Sequence, residues 1–158
     1  MTKEYDYPQT KIQLNQLVAD ISQLTVNIHQ THWYMRGREF FRLHPLMDEY
    51  MDQLNDQLDE IAERLIAIGG APFSTTHEFI DHTGLPEEPG KFGKYSLTDY
   101  MQRLTDQFKY LRDQYEKGME ISDSEKDWPT QDMLNGFKAA IDKNIWTLNA
   151  FLDQDAQA

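Results

Sequence analysis

Apolar residues recur at steps of three and four through most of the chain. Leu46, Met47, Tyr50, Met51, Leu54, Leu58, Ile61, Ala62, Leu65 and Ile66 keep that step without a break, which is the period of one face of an α-helix. Gly69-Gly70 supplies its end. Upstream, Leu14, Leu17, Val18, Ile21, Leu24, Thr25, Ile28 and Met35 hold the same period up to Gly37, and Pro8 suits the first turn of that helix. Arg36-Gly37-Arg38 is a tight connection, so the second helix returns antiparallel to the first. Pro45 has no N–H to give and fits only a first turn, which places the second helix's start between about Glu39 and His44.

Residues 69–95 then carry Gly69, Gly70, Pro72, Gly84, Pro86, Pro89, Gly90 and Gly93, too long a stretch for a turn between neighbouring helices. Inside it Thr75-x-x-Glu78 reads as a capping box, predicting a short helix over Thr76 to Asp81. Ser96 followed by Asp99 starts a third long helix with Leu97, Tyr100, Met101, Leu104, Phe108, Leu111, Tyr115 and Met119 on its core side. Residues 122–128 break the pattern and Pro129 restarts it; Met133, Leu134, Phe137, Ala140, Ile141, Ile145, Trp146 and Leu148 line the fourth helix. No period-2 strand, internal repeat or low-complexity segment occurs. The fold class expected is all-α: a ferritin-like four-helix bundle with a short extra helix in the long crossover between the second and third helices. Residues 1–8 and 154–158 read as tails, and 9–153 as the bundle.

Composition narrows the setting. At 158 residues, 39% hydrophobic and 12% aromatic, this is one soluble domain with a real core. No apolar run nears the ~20 residues that cross a bilayer. MTKEYDYPQT has no apolar centre, so no secretory signal is expected. Cysteine is absent, which removes disulfides and zinc-thiolate sites and fits a cytoplasmic location. The net charge of -12 disfavours a nucleic-acid surface and favours the attraction of cations.

One stripe of the second helix carries candidate chemistry: His44, Asp48, Asp52, Asp59 and Glu63. His44/Asp48 and Asp59/Glu63 are i,i+4 pairs, stacked a turn apart on one face. Imidazole with carboxylate suits first-row ions such as iron, manganese or zinc. Yet Asp48 and Asp59 are separated by roughly 16 Å along the axis at ~1.5 Å per residue, whereas ligand bonds are about 2 Å. Both pairs serve one ion only if a second copy of the helix runs antiparallel across a two-fold axis near Gln53-Leu54, giving two equivalent intersubunit sites. On spacing alone the stripe fits a solvated face equally well, and Asp52 and Asp56 are read that way.

His32-Trp33 followed by His44-x3-Asp48-x10-Asp59-x3-Glu63-Arg64, set in LHPLMDEYMDQLNDQLDEIAERLIAIGGAP, resembles the Dps family (DNA-binding proteins from starved cells), in particular its peroxide-resistance ferritins. The likeness runs from about residue 10 to 152. It implies that His32, His44 and Asp48 of one subunit and Asp59 and Glu63 of its two-fold mate hold iron. It implies ferroxidase activity, with Fe(II) oxidised preferentially by hydrogen peroxide, and ferric mineral stored in a hollow dodecamer. In similar proteins the start of the fourth helix lines a three-fold pore, making Asp123, Asp127 and Asp132 iron-entry candidates; taken singly, Asp127 equally caps the helix at Pro129. Trp33 is either an interface packing residue or an aromatic beside the metal, and His29, His77 and His82 are read as structural or surface residues.

The usual ferritin-like di-iron enzyme builds its site within one bundle from Glu-x-x-His pairs; this sequence has none. Three functions are weighed: a ferroxidase and iron store that limits peroxide damage, a DNA-compacting stress protein, and a non-catalytic divalent-metal cage. The second needs a basic arm, but Lys3 and Lys11 face Glu4 and Asp6, and DQDAQA has no base. DNA binding is therefore not expected. The third differs from the first only in whether Fe(II) is turned over.

Overall fold

Each long helix buries most of the stripe that its sequence repeats, although Ile66 and Trp146, which the period placed there, are exposed. The structure, a computed structural model, describes residues 4–158, so residues 1–3 of the expected N-terminal tail lie outside it. The elements are α1 (Pro8–Tyr34), α2 (Phe40–Ala67), α3 (Thr76–His82), α4 (Leu97–Ser124) and α5 (Trp128–Phe151), with no strand among the described residues. α1 packs on α2, α4 on α5, and α1 on α4, while the short α3 lies along α1. Leu17, Ile21, Leu24 and Ile28 of α1 meet Met47, Leu54, Ile61 and Leu65 of α2 and Phe108, Leu111 and Tyr115 of α4 in one fully buried core. No described helix is long and apolar enough to cross a membrane.

Helix ends are closed by several devices. α2 stops at Ile68, where Gly69 takes φ +84 and Gly70 N donates to Leu65 O at 2.8 Å, a left-handed closure that favours glycine. α4 closes the same way on a lysine: Lys126 has φ 64, Lys126 N donates to Asp123 O and Asp127 N to Ser122 O. α3 and α4 open with full capping boxes at Thr75/Glu78 and Ser96/Asp99. α1 has no cap of its own, since Tyr7 contributes no side-chain bond. Instead Glu125, from the α4–α5 corner, accepts from Gln9 N (2.8 Å), Thr10 N (2.9 Å) and Thr10 Oγ1 (2.7 Å).

α2 starts at Phe40, inside the expected interval of Glu39 to His44, but the placement of Pro45, the extent of the α4–α5 break and the end of α3 differ from the expectation. Pro45 lies in the second turn of α2, not the first, because the 37–40 turn already bonds helically and α2 starts at Phe40. The carbonyl that Pro45 cannot bond belongs to Phe41, an exposed residue. α4 continues to Ser124 and α5 starts at Trp128, so the break is confined to residues 125–127 by the left-handed Lys126. α3 runs one residue further, to His82.

The long crossover follows α1 and is held by polar side chains of that helix. Asn15 bonds Ala71 O and Phe73 N, and Gln16 bonds His82 O. Asp20, fully buried, accepts from Thr83 Oγ1 and Gly84 N, both at 2.9 Å. Asn27 and Gln30 reach Pro86 O and Glu88 O. The crossover thereby returns the chain along the bundle, leaving α2 open on the flank that carries its acidic stripe.

Candidate metal centre

The α1–α2 turn sets the last turn of α1 against the second turn of α2, and this brings His32 and His44 together. Their rings stack at 3.6 Å between centroids and 11° between planes. His32 Nδ1 lies 2.8 Å from His44 O, and His44 Nδ1 lies 2.9 Å from His32 O. A carbonyl only accepts, so each Nδ1 is the N–H donor, and the neutral ring keeps its lone pair on Nε2. A second bond that fixes the ring and leaves the other nitrogen free is how ligand histidines are held. Phe40 stacks on His44 at 4.6 Å and closes one side.

His32 Nε2 is 3.6 Å from Asp48 Oδ1, with His32 12% and Asp48 61% exposed at their side chains. That gap is too wide for a hydrogen bond, but an ion between the two donors could sit about 2.1 Å from each. His32, His44 and Asp48 thus form one polar cluster at the end of α1 and the start of α2. Asp59 and Glu63 are exposed on α2 three and four turns further on. Asp59 opens onto a groove of ≈ 450 Å³ between α1, α2 and α3, walled by Val18, Ser22, Leu58, Phe73 and Phe79. Among the described residues no three His, Asp or Glu side chains of one chain are arranged to hold an ion.

The remaining candidates separate. Asp123 and Asp132 are exposed at the α4–α5 corner. Asp127 is buried, caps α5 through Thr130 N, and pairs with Arg64 Nη2 at 2.6 Å. Its carboxylate is thus committed within the chain. Trp33 is 62% exposed and stacks on His29 at 5.0 Å. His77 is exposed, and His82 stacks on Phe73 and bonds Glu78 O. The sequence reading missed the mutual His32–His44 bonding. Its only trace in sequence is a twelve-residue separation centred on the Arg36-Gly37-Arg38 turn.

Residues 12–158 match the family model described as a ferritin-like domain. The chain is 48% identical over 143 residues to the DNA protection during starvation protein of Listeria monocytogenes, covering 90% of this chain and 91% of that protein. The chain belongs to the ferritin-like Dps family. The corresponding protein of Streptococcus suis is 46% identical over 145 residues, 92% of this Dps chain and 84% of that one. The X-ray structure of Dps from Listeria monocytogenes superposes with a TM-score of 0.92 at 44% identity, each chain covered to 99%. Dps from Listeria innocua soaked with zinc matches at 0.90 and 46% identity, covering 94% of this chain and 99% of that one. The all-helical, ferritin-like architecture expected from the periodicity is the architecture of this family.

Proposed function

We propose that this Dps-family protein is a ferroxidase and iron store that oxidises Fe(II), preferentially with hydrogen peroxide, at sites shared between two subunits of a dodecameric shell, and so limits oxidative damage in the cytoplasm. Family membership supports iron-storage and ferroxidase chemistry in general. The observation that carries the finer reading is the pair of ring-locked histidines with Nε2 of His32 3.6 Å from Asp48. Donors of this kind suit first-row metals, and cobalt and zinc have both been soaked into Dps from Listeria innocua. His32, His44 and Asp48 form one half of each site, and Asp59 and Glu63 of the two-fold mate form the other. Anionic oxygen stabilises Fe(III) over Fe(II), which favours electron loss to peroxide. The balance is two Fe(II), one hydrogen peroxide and two protons giving two Fe(III) and two waters. Asp123 and Asp132 are proposed to draw Fe(II) toward the shell interior; Asp127, the third acid that the resemblance implied, is buried and paired with Arg64 and is proposed to hold that corner in place of attracting iron.

Anaerobic addition of Fe(II) followed by peroxide, monitored by ferric absorbance, tests this reading. Rapid oxidation at a stoichiometry of two Fe(II) per peroxide is expected. Bound Fe(II) that stays reduced would leave a metal cage without turnover. Light scattering is expected to give a closed oligomer of twelve chains; a monomer at micromolar protein would defeat the shared site.

A further inference from the structure

Opposite its ligand-bearing flank, α2 carries a second row of polar residues that ferroxidase chemistry does not use. Asn144 Nδ2 of α5 donates to Gln53 Oε1 at 2.6 Å. The Tyr115 hydroxyl of α4 donates to Gln57 Oε1 at 2.5 Å. Arg64 donates through Nη2 to Asp127 Oδ1 (2.6 Å) and through Nε to Thr130 Oγ1 (2.9 Å). Gln57, Tyr115, Asn144, Asp127 and Thr130 are all buried.

At ~100° per residue, Gln53, Gln57 and Arg64 fall within an arc of roughly 40° on the helical wheel. Leu54, Ile61, Leu65 and Met47 occupy the next sector, and His44, Asp48, Asp59 and Glu63 lie beyond it. The apolar stripe is bracketed by two polar rows, one facing α4 and α5 and one facing outward. Apolar contacts are non-directional and let a helix roll or slide with little loss. Hydrogen bonds weaken steeply once distance or angle is lost. Fixing register is the best-attested role of buried polar groups within apolar packing.

We propose that Gln53, Gln57 and Arg64 are positioning residues: their seam with α4 and α5 fixes the roll and axial register of α2 and so aims both ligand pairs of the iron site. The proposal rests on the shared-site reading above. A rotation of α2 by one residue's worth of wheel would carry Asp48 and Asp59 away from the two-fold mate.

Gln57→Leu combined with Tyr115→Phe removes both partners of the deepest bond and leaves no orphaned polar group. The probe is Co(II), titrated anaerobically into the assembled shell and read by its visible absorption. The expected result is an intact shell with an unchanged or higher melting temperature and Co(II) affinity lower by about tenfold, the scale of lost supporting contacts at metal sites. A purely structural role would lower the melting temperature and leave affinity alone, and that outcome overturns the proposal. So does wild-type affinity in an intact, stable shell. If this variant does not assemble, Gln53→Leu with Asn144→Leu applies the same split nearer the surface. Asp59→Asn is the control. Unchanged Co(II) binding there refutes the shared site and this proposal with it, whereas loss there without loss in the seam variants refutes the seam alone.

Discussion

His32 and His44 lock each other: each ring places its Nδ1 within hydrogen-bond distance of the other's main-chain carbonyl, at 2.8 and 2.9 Å, and the rings stack face to face. Neither imidazole is free to turn away. The pair spans the α1–α2 connection, so the residues that would bind metal also pin the turn that carries them. Replacing one histidine by alanine removes its ring and the stacking, but keeps the main-chain carbonyl that holds the other ring. His44→Ala is therefore expected to lower metal affinity by about the loss of one ligand and its stacking contact, with His32 still held at Nδ1; isothermal titration of Co(II) into His44→Ala and His32→Ala shells is expected to give nearly equal losses.

Co-assembly tests the shared geometry. Asp59→Asn and His44→Ala each damage one half of every site in a homogeneous shell, and each is expected to abolish rapid peroxide-driven oxidation while the shell forms. In mixed shells, an interface with one chain of each kind has one site with both defects and one with none. Partial activity should return on mixing; verified mixed shells without recovery would exclude sharing across the two-fold axis.

Asp127 ties the α4–α5 corner to α2. It is fully buried, caps α5 and pairs with Arg64. Asp127→Ala removes the cap and strands the guanidinium. Because Arg64 retains some access to solvent, the expected cost is toward the low end of a broken buried pair, about 3 kcal/mol. Chemical denaturation of wild type and variant measures it. A change below 1 kcal/mol would mean that the pair behaves as an exposed surface bridge.

Lys126 holds φ 64 in the closure of α4, a conformation that costs an L-residue about 1 kcal/mol. Lys126→Gly is expected to raise stability by up to that amount, checked by the shift in thermal midpoint, with no effect on iron oxidation.

Plasmid DNA should migrate unshifted at moderate salt and neutral pH without added metal. The chain carries a net charge of -12, and non-specific affinity comes mainly from Lys and Arg contacts to phosphate. A retarded band under those conditions would bring the DNA-compacting reading forward.

What was readable in the sequence was whatever repeats locally. Apolar steps of three and four located all four long helices, and Thr75-x-x-Glu78 and Ser96-x-x-Asp99 marked two starts, because capping is a contact between residues three apart. The i,i+4 pairs on α2 were readable for the same reason. Contacts distant in sequence left no such trace. Glu125 caps α1 from 116 residues away, and Arg64 meets Asp127 across 63. Asp127 reads in sequence as a loop acid, and only the fold shows its carboxylate buried against Arg64. His32 entered through a family resemblance, since spacing along one helix says nothing about a residue on another. Pro45 was misplaced by a turn because a helix tolerates one missing bond where the orphaned carbonyl reaches solvent.

The amides and carboxylate of α1 that bind the crossover make the stability of that segment depend on the helix. Asn15, Gln16, Asp20, Asn27 and Gln30 grip main-chain atoms of residues 71–88, a segment whose own short helix buries no residue completely. That segment has little to collapse around until α1 is helical and presents those groups in a row. The crossover is thus held only as firmly as α1 holds it. Amide protons of residues 71–88 should accordingly exchange faster than those of α1, and the crossover should be the first part of the chain that proteases find.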